Sequence, residues 1–210
     1  MKLGKFISIE GQDGAGKSTN VAVLKECLET AGIPYIHSRE PGGTALGESL
    51  RELLLNSKAN SIGNKAELLM VFAARAQHIE DVINPALANG TWVLCDRFTD
   101  ASYAYQGGGR GMPHADIALL EQYVQGELRP DLTLLLDIPV ELGESRAGQR
   151  SAPDRFEIEQ QTFKQKVRNC YLERAKNEPN RIKVIDSSGS LENVKNQVET
   201  AIQAFIESHA

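Results

Sequence analysis

Residues 11 to 19, Gly11-Gln12-Asp13-Gly14-Ala15-Gly16-Lys17-Ser18-Thr19, constrain this chain more than any other stretch. They lie between an apolar run with strand character, residues 6–10, and a helical pattern over 18–30. The spacing Gly-x-x-x-x-Gly-Lys-Ser, after a strand and opening a helix, is that of a phosphate-binding loop. Its glycines let the backbone curl so that successive N–H groups face a phosphate, and the positive end of the helix dipole adds to the attraction. Residues 11 to 19 are therefore the expected ATP contacts. Lys17 reaches the β- and γ-phosphates and the Ser18 hydroxyl coordinates Mg²⁺.

The surrounding pattern has the same character. Short β-rich runs at 6–10, 35–38, 92–96, 132–137 and 183–186 alternate with helical periodicity over 18–30, 46–56, 65–88, 114–126, 140–146, 158–177 and 191–207. That alternation predicts an α/β fold, a five-stranded parallel sheet with helices on both faces. The Arg-, Gly- and Pro-rich stretch Ala147-Gly148-Gln149-Arg150-Ser151-Ala152-Pro153-Asp154-Arg155 fits neither period. It reads as a short arginine-bearing lid, about 147–155, within a single domain spanning 1–210.

Composition narrows the function. A chain of 210 residues, 41% of them hydrophobic, can bury one sizeable core. No apolar run approaches the roughly 20 residues that span a bilayer, and no signal-peptide pattern opens the chain, so a cytoplasmic protein with no membrane partner is expected. Cys27, Cys95 and Cys170 are odd in number and widely spaced, unlike a disulfide framework or a zinc site. A net charge of −5 offers no footprint for a nucleic-acid polymer.

A phosphate loop implies nucleoside triphosphate binding but leaves the reaction open. A regulatory GTPase would carry Asn-Lys-x-Asp, where this chain has Asn64-Lys65-Ala66-Glu67, and a remodelling ATPase would end a strand in Asp-Glu rather than Asp137-Ile138-Pro139. A small-molecule kinase remains, and three stretches support it. Asp96-Arg97-Phe98 closes the third strand, so Asp96 can hold a magnesium-bound water and Arg97 can clamp a phosphate. Arg39-Glu40-Pro41-Gly42-Gly43-Thr44 places a second arginine and carboxylate at the same sheet edge. Arg146, Arg150 and Arg155 read as lid arginines closing over a transferring phosphate.

Those stretches, with Phe72-Ala73-Ala74-Arg75, Ala104–Gly111 (AYQGGGRG) and LLLDIP in this order, resemble the bacterial thymidylate kinase family over essentially the whole chain. The resemblance implies a P-loop kinase fold, usually a homodimer, that transfers the γ-phosphate of ATP to dTMP with Mg²⁺ and supplies dTTP synthesis. It implies that Asp13 approaches the 3′-hydroxyl region of dTMP and that Arg97, helped by Arg39 or Arg51, binds its phosphate. Arg75 is expected on a thymine carbonyl, Ser102 at the ring N3 edge, Tyr105 under the deoxyribose and Gln106 on base or sugar.

Two positions depart from the family. The usual stacking Phe lies four residues before the base-reading Arg; here Val71 stands there and Phe72 lies three before, on the same helix face, and is the expected stacker. Some relatives carry an Arg within the phosphate loop, where this chain has Gly14, which shifts the catalytic cation to the lid, with Arg150 the expected one. The acceptor, a monoester with a second pKa near 6, is mostly dianionic at pH 7 and requires no general base. A deoxynucleoside kinase would require one, with Glu40 as candidate, and a non-catalytic nucleotide switch would hydrolyse ATP regardless of any acceptor.

Overall fold

A computed structural model describes residues 3–56, 62–147, 155–156 and 158–209. Among them, five strands form one parallel sheet in the order β2-β3-β1-β4-β5: β1 Phe6–Gly11, β2 Tyr35–Arg39, β3 Trp92–Asp96, β4 Leu132–Asp137 and β5 Ile182–Asp186. Each expected strand is present to within about a residue. The central strand β1 is buried along its whole length, as befits a strand covered on both faces. Its Ser8 hydroxyl is satisfied by Thr133 Oγ1 of β4 at 2.7 Å.

Period-two alternation divides β1 between two cores. Ile7 and Ile9 face α1 (Lys17–Thr30) and α9 (Leu191–His209), packing with Leu24, Leu28, Val198 and Ile202. Phe6 faces the other way, with Val93, Cys95 and Phe98. On that side lie α3 (Asn64–His78), α6 (His114–Gln125) and α8 (Gln161–Asn177), which bury Phe72, Ile117 and Val167 in one cluster. α2 (Ala45–Asn56) and α7 (Val140–Ala147) border the carboxyl edge of the sheet.

The helix expected over 65–88 is interrupted. α3 passes into a π-helical turn, Ile79–Ile83, before α4 (Asn84–Ala88) resumes. Pro85 supplies the reason: its missing N–H and its ring disrupt a regular α-turn, and the wider turn just before it takes up the misfit. A second difference is helix where none was expected. α5 (Thr99–Ser102) runs on into a π-helical segment, Tyr103–Gly109. Gly108 and Gly109 belong there for space, since a Cβ on either would strike Cys170 or the Phe163 ring of α8. Those glycines set how closely two segments approach.

Parallel register then gathers the chemistry. Ile9 and Arg39 both pair with Asp96, and Gly11 pairs with Leu136, so the ends of β1, β2 and β3 meet at one edge, where open α/β sheets bind ligands.

Candidate active site

The phosphate loop closes as its sequence requires. Gly16, with φ 86°, precedes the first residue of α1, and Ser18 and Thr19 are exposed at that helix start. Lys17 Nζ folds back over the loop, donating to the carbonyls of Gly11 (3.1 Å) and Gln12 (3.3 Å) and lying 3.8 Å from Asp13 Oδ1. Burial and the Arg97 charge hold the Lys17 ammonium below its ordinary pKa, against the pull of Asp13 and Asp96. At Gly14 (φ 77°) a Cβ would run into the Gly143 carbonyl of α7. The packing of α7 therefore excludes an arginine at that position.

Beside the loop, a cleft is lined by Asp13, Arg51, Arg75, Arg97, Ser102 and Tyr105, among others. Arg97 dominates its polar end. It is the one non-glycine among the described residues with a left-handed backbone, φ 67°, a conformation that persists only where the surroundings impose it. Its N–H donates to Ile9 O (3.0 Å), and the next N–H, of Phe98, donates to Glu10 Oε1 (2.6 Å). The guanidinium donates to Gly11 O (2.7 Å) and Asp13 Oδ1 (3.2 Å) and lies 5.0 Å from the Tyr105 ring centre. Asp96 Oδ1, alongside, is buried without a hydrogen-bond partner. With the Ser18 hydroxyl, this orphaned acceptor fits a hydrated Mg²⁺, which takes few protein ligands and keeps several waters.

The structure sorts the other expected acceptor contacts. Arg51 lines the cleft and donates to Pro41 O (3.0 Å), whereas Arg39 does not line it and pairs with Glu48 (2.8 Å). Phe72 requires correction. It is 2% exposed, absent from the cleft wall, and carries the Arg75 guanidinium 4.7 Å above its ring, while Val71 lines the cleft. The three-residue offset turns the phenyl ring under the arginine and away from the cleft. Arg75, 1% exposed, donates from Nε to Glu40 Oε2 (2.7 Å) and from Nη2 to Ser102 Oγ (3.0 Å). Its Nη1 is buried without a partner. Gln106 lines the cleft, but its amide donates to Glu67 Oε1 (2.8 Å).

Of the lid arginines, Arg150 lies outside the described residues. Arg146 donates to the carbonyls of Ser187 (2.7 Å), Ser188 and Gly189. Arg155 is 4% exposed and paired with Glu67, which also receives Arg110 at 3.2 Å. Arg155 is thereby committed to a structural cluster, contrary to the expectation that it faces the phosphates. Glu67, Glu10 and His78 escaped sequence reasoning. For Glu67 and His78 a signal existed: both fall on the buried stripe of α3 with Val71, Ala74 and Arg75, and polar residues at core spacing need partners.

A parallel sheet that presents a phosphate loop, and next to it a cleft lined by two arginines, Arg75 and Arg97, defines a P-loop nucleotide kinase. Residues 9–198 match the thymidylate kinase family model. The chain is 57% identical over 198 residues to the thymidylate kinase of Neisseria gonorrhoeae (strain NCCP11945), covering 94% of this chain and 96% of that protein. It is 54% identical over 204 residues to that of Pseudomonas syringae pv. syringae (strain B728a), covering 97% of each. The crystal structure of thymidylate kinase from Ehrlichia chaffeensis superposes with a TM-score of 0.77 at 30% identity, over 97% of this chain and 99% of that one. The chain belongs to the thymidylate kinase family.

Proposed function

We infer that this enzyme transfers the γ-phosphoryl group of ATP to dTMP, giving dTDP on the route to dTTP. The observation that carries the reading is the Arg75 Nη1 group, a buried donor lacking a partner, on a residue lining the same cleft as Arg97, which pairs with Asp13 of the phosphate loop. A pyrimidine carbonyl satisfies the first and a phosphate monoester the second. Ser102 meets the ring edge, Tyr105 packs under the sugar, Asp13 faces the 3′-hydroxyl region, and Arg97 with Arg51 binds the acceptor phosphate.

The acceptor dianion attacks without a base, so the task is to offset repulsion between two anions. Lys17, the loop N–H groups and Arg97 supply fixed positive charge; Ser18 and Asp96 would hold Mg²⁺, which would offset the charge of the triphosphate. Arg150 provides the lid cation, within one catalytic unit whose lid spans about 147–155. We further propose a cytoplasmic homodimer; among the described residues no helix is long and apolar enough to cross a membrane.

Phosphorylation of thymidine itself is disfavoured by one specific contact set. Glu40, the carboxylate such a reaction would use as base, is 3% exposed with both oxygens engaged, by Arg75 and by His78. The deciding experiment is a coupled assay of ADP release against dTMP, dUMP, dCMP, dGMP, thymidine and no acceptor. Turnover is expected to be fastest with dTMP. Faster turnover with thymidine, or turnover indifferent to the acceptor, overturns the reading.

A further inference from the structure

Four polar side chains form a file from the sheet edge to the cleft. Ser38, on β2, meets His78 Nε2 through its Oγ at 2.7 Å. His78 Nδ1 lies 2.9 Å from Glu40 Oε1, and Glu40 Oε2 accepts from Arg75 Nε at 2.7 Å. His78 is fully buried and does not line the cleft. We propose that His78 is a positioning residue for recognition of the acceptor base, acting through Glu40 to fix the Arg75 guanidinium.

The geometry explains why a second partner for Glu40 matters. A carboxylate accepts only, so His78 Nδ1 carries the proton of the His78–Glu40 bond, and Nε2 shares the second hydrogen bond with the Ser38 hydroxyl. With Oε1 held by His78, Glu40 engages Arg75 through one oxygen, leaving Nη2 for Ser102 and Nη1 for the cleft. A carboxylate free at both oxygens favours the two-pronged pairing with a guanidinium. That pairing takes Nη2 away from Ser102 and rotates Nη1 off its aim. His78 thus decides which of two geometries the Glu40–Arg75 pair adopts.

The loop that supplies Glu40 is built around the same file. At Gly43, where φ is +80°, a Cβ would lie 2.5 Å from Ser38 Oγ and 2.7 Å from His78 Cδ2. The second glycine of Pro41-Gly42-Gly43-Thr44 therefore makes room for the Ser38–His78 pair. This gives that glycine a role in base recognition at a position separate from the phosphates.

The inference rests on the reading that Arg75 meets the thymine ring, and the test separates the two. Steady-state kinetics with dTMP and ATP each varied would compare His78→Asn, whose amide nitrogen replaces Nδ1, with His78→Gln, whose amide reaches toward Nε2. His78→Gln is expected to raise KM for dTMP by about tenfold, the size of one hydrogen bond to a charged group, with kcat and KM for ATP within about threefold. His78→Asn is expected to restore KM for dTMP to within about twofold of the parent. Equal KM values in the two variants, or a rise in KM for ATP matching that for dTMP, overturns the positioning role. If neither variant folds, Ser38→Ala removes only the outer link; it should raise KM for dTMP by about threefold, and no change at native-like stability overturns the proposal. Arg75→Lys is the reference: unchanged KM for dTMP there overturns the base-reading role of Arg75, whereas a raised KM there without one in His78→Gln overturns only the part assigned to His78.

Discussion

Arg97 and Asp13 are ion-paired at 3.2 Å, joining the end of β3 to the phosphate loop and so the acceptor side of the site to the donor side. The Arg97 fork also reaches the Gly11 carbonyl and stands near the Tyr105 ring. A lysine preserves the charge but cannot make these contacts together. Arg97→Lys is expected to lower kcat/KM for dTMP by about 10²-fold with an unchanged melting temperature. A loss below about threefold in steady-state kinetics would place the acceptor phosphate elsewhere.

Tyr105 is held by edge contacts with Phe156, Phe163 and Tyr171 and lies against the Arg97 guanidinium. A ring so confined cannot yield to a 2′-hydroxyl. Tyr105→Ala should therefore narrow the preference for dTMP over its ribonucleotide by about tenfold and also reduce kcat, because Arg97 loses a supporting face. The ratio of the two kcat/KM values is the measurement, and an unchanged ratio assigns sugar selection to another group.

Among the lid arginines, Arg146 is engaged by backbone carbonyls and Arg155 by Glu67, which directs the test to Arg150. A cation acting on charge that develops during transfer affects kcat far more than acceptor binding. Arg150→Ala is expected to lower kcat by at least about 10²-fold while Kd for dTMP, by calorimetry, changes less than about threefold. Equal losses in both would make Arg150 a binding residue.

Burial, reinforced by the Asp100 charge, pushes the Glu10 carboxyl from its ordinary 4.5 up to about 8. Between those values the native state holds a proton that the unfolded chain has released. This contribution to stability is complete below about pH 4.5 and is lost as pH rises through about 8. Glu10→Gln has no such dependence. From pH 5 to pH 8 the parent should lose at least about 3 °C in Tm relative to the variant. Parallel Tm curves in differential scanning calorimetry would contradict the raised pKa.

Local sequence determined the parts of this protein that local physics controls. The phosphate loop is a property of nine consecutive residues, because glycine positions and a helix N-terminus suffice to aim N–H groups at an anion. Strand positions and the parallel sheet followed from periodicity, and the placement of Asp96-Arg97 at the sheet edge followed from the end of an apolar run. Tertiary structure decided which of several equivalent side chains face the cleft. Arg39 and Arg51 are both arginines near one turn, but Glu48 draws Arg39 aside. Phe72 and Val71 share a helix face, and the Arg75 guanidinium over the Phe72 ring leaves Val71 at the wall. The partners of Glu67, Glu40 and His78 come from chain segments 35 to 88 residues away. A buried polar group's function depends on the partner that satisfies it, and pairings across such separations are set by packing that no local pattern encodes.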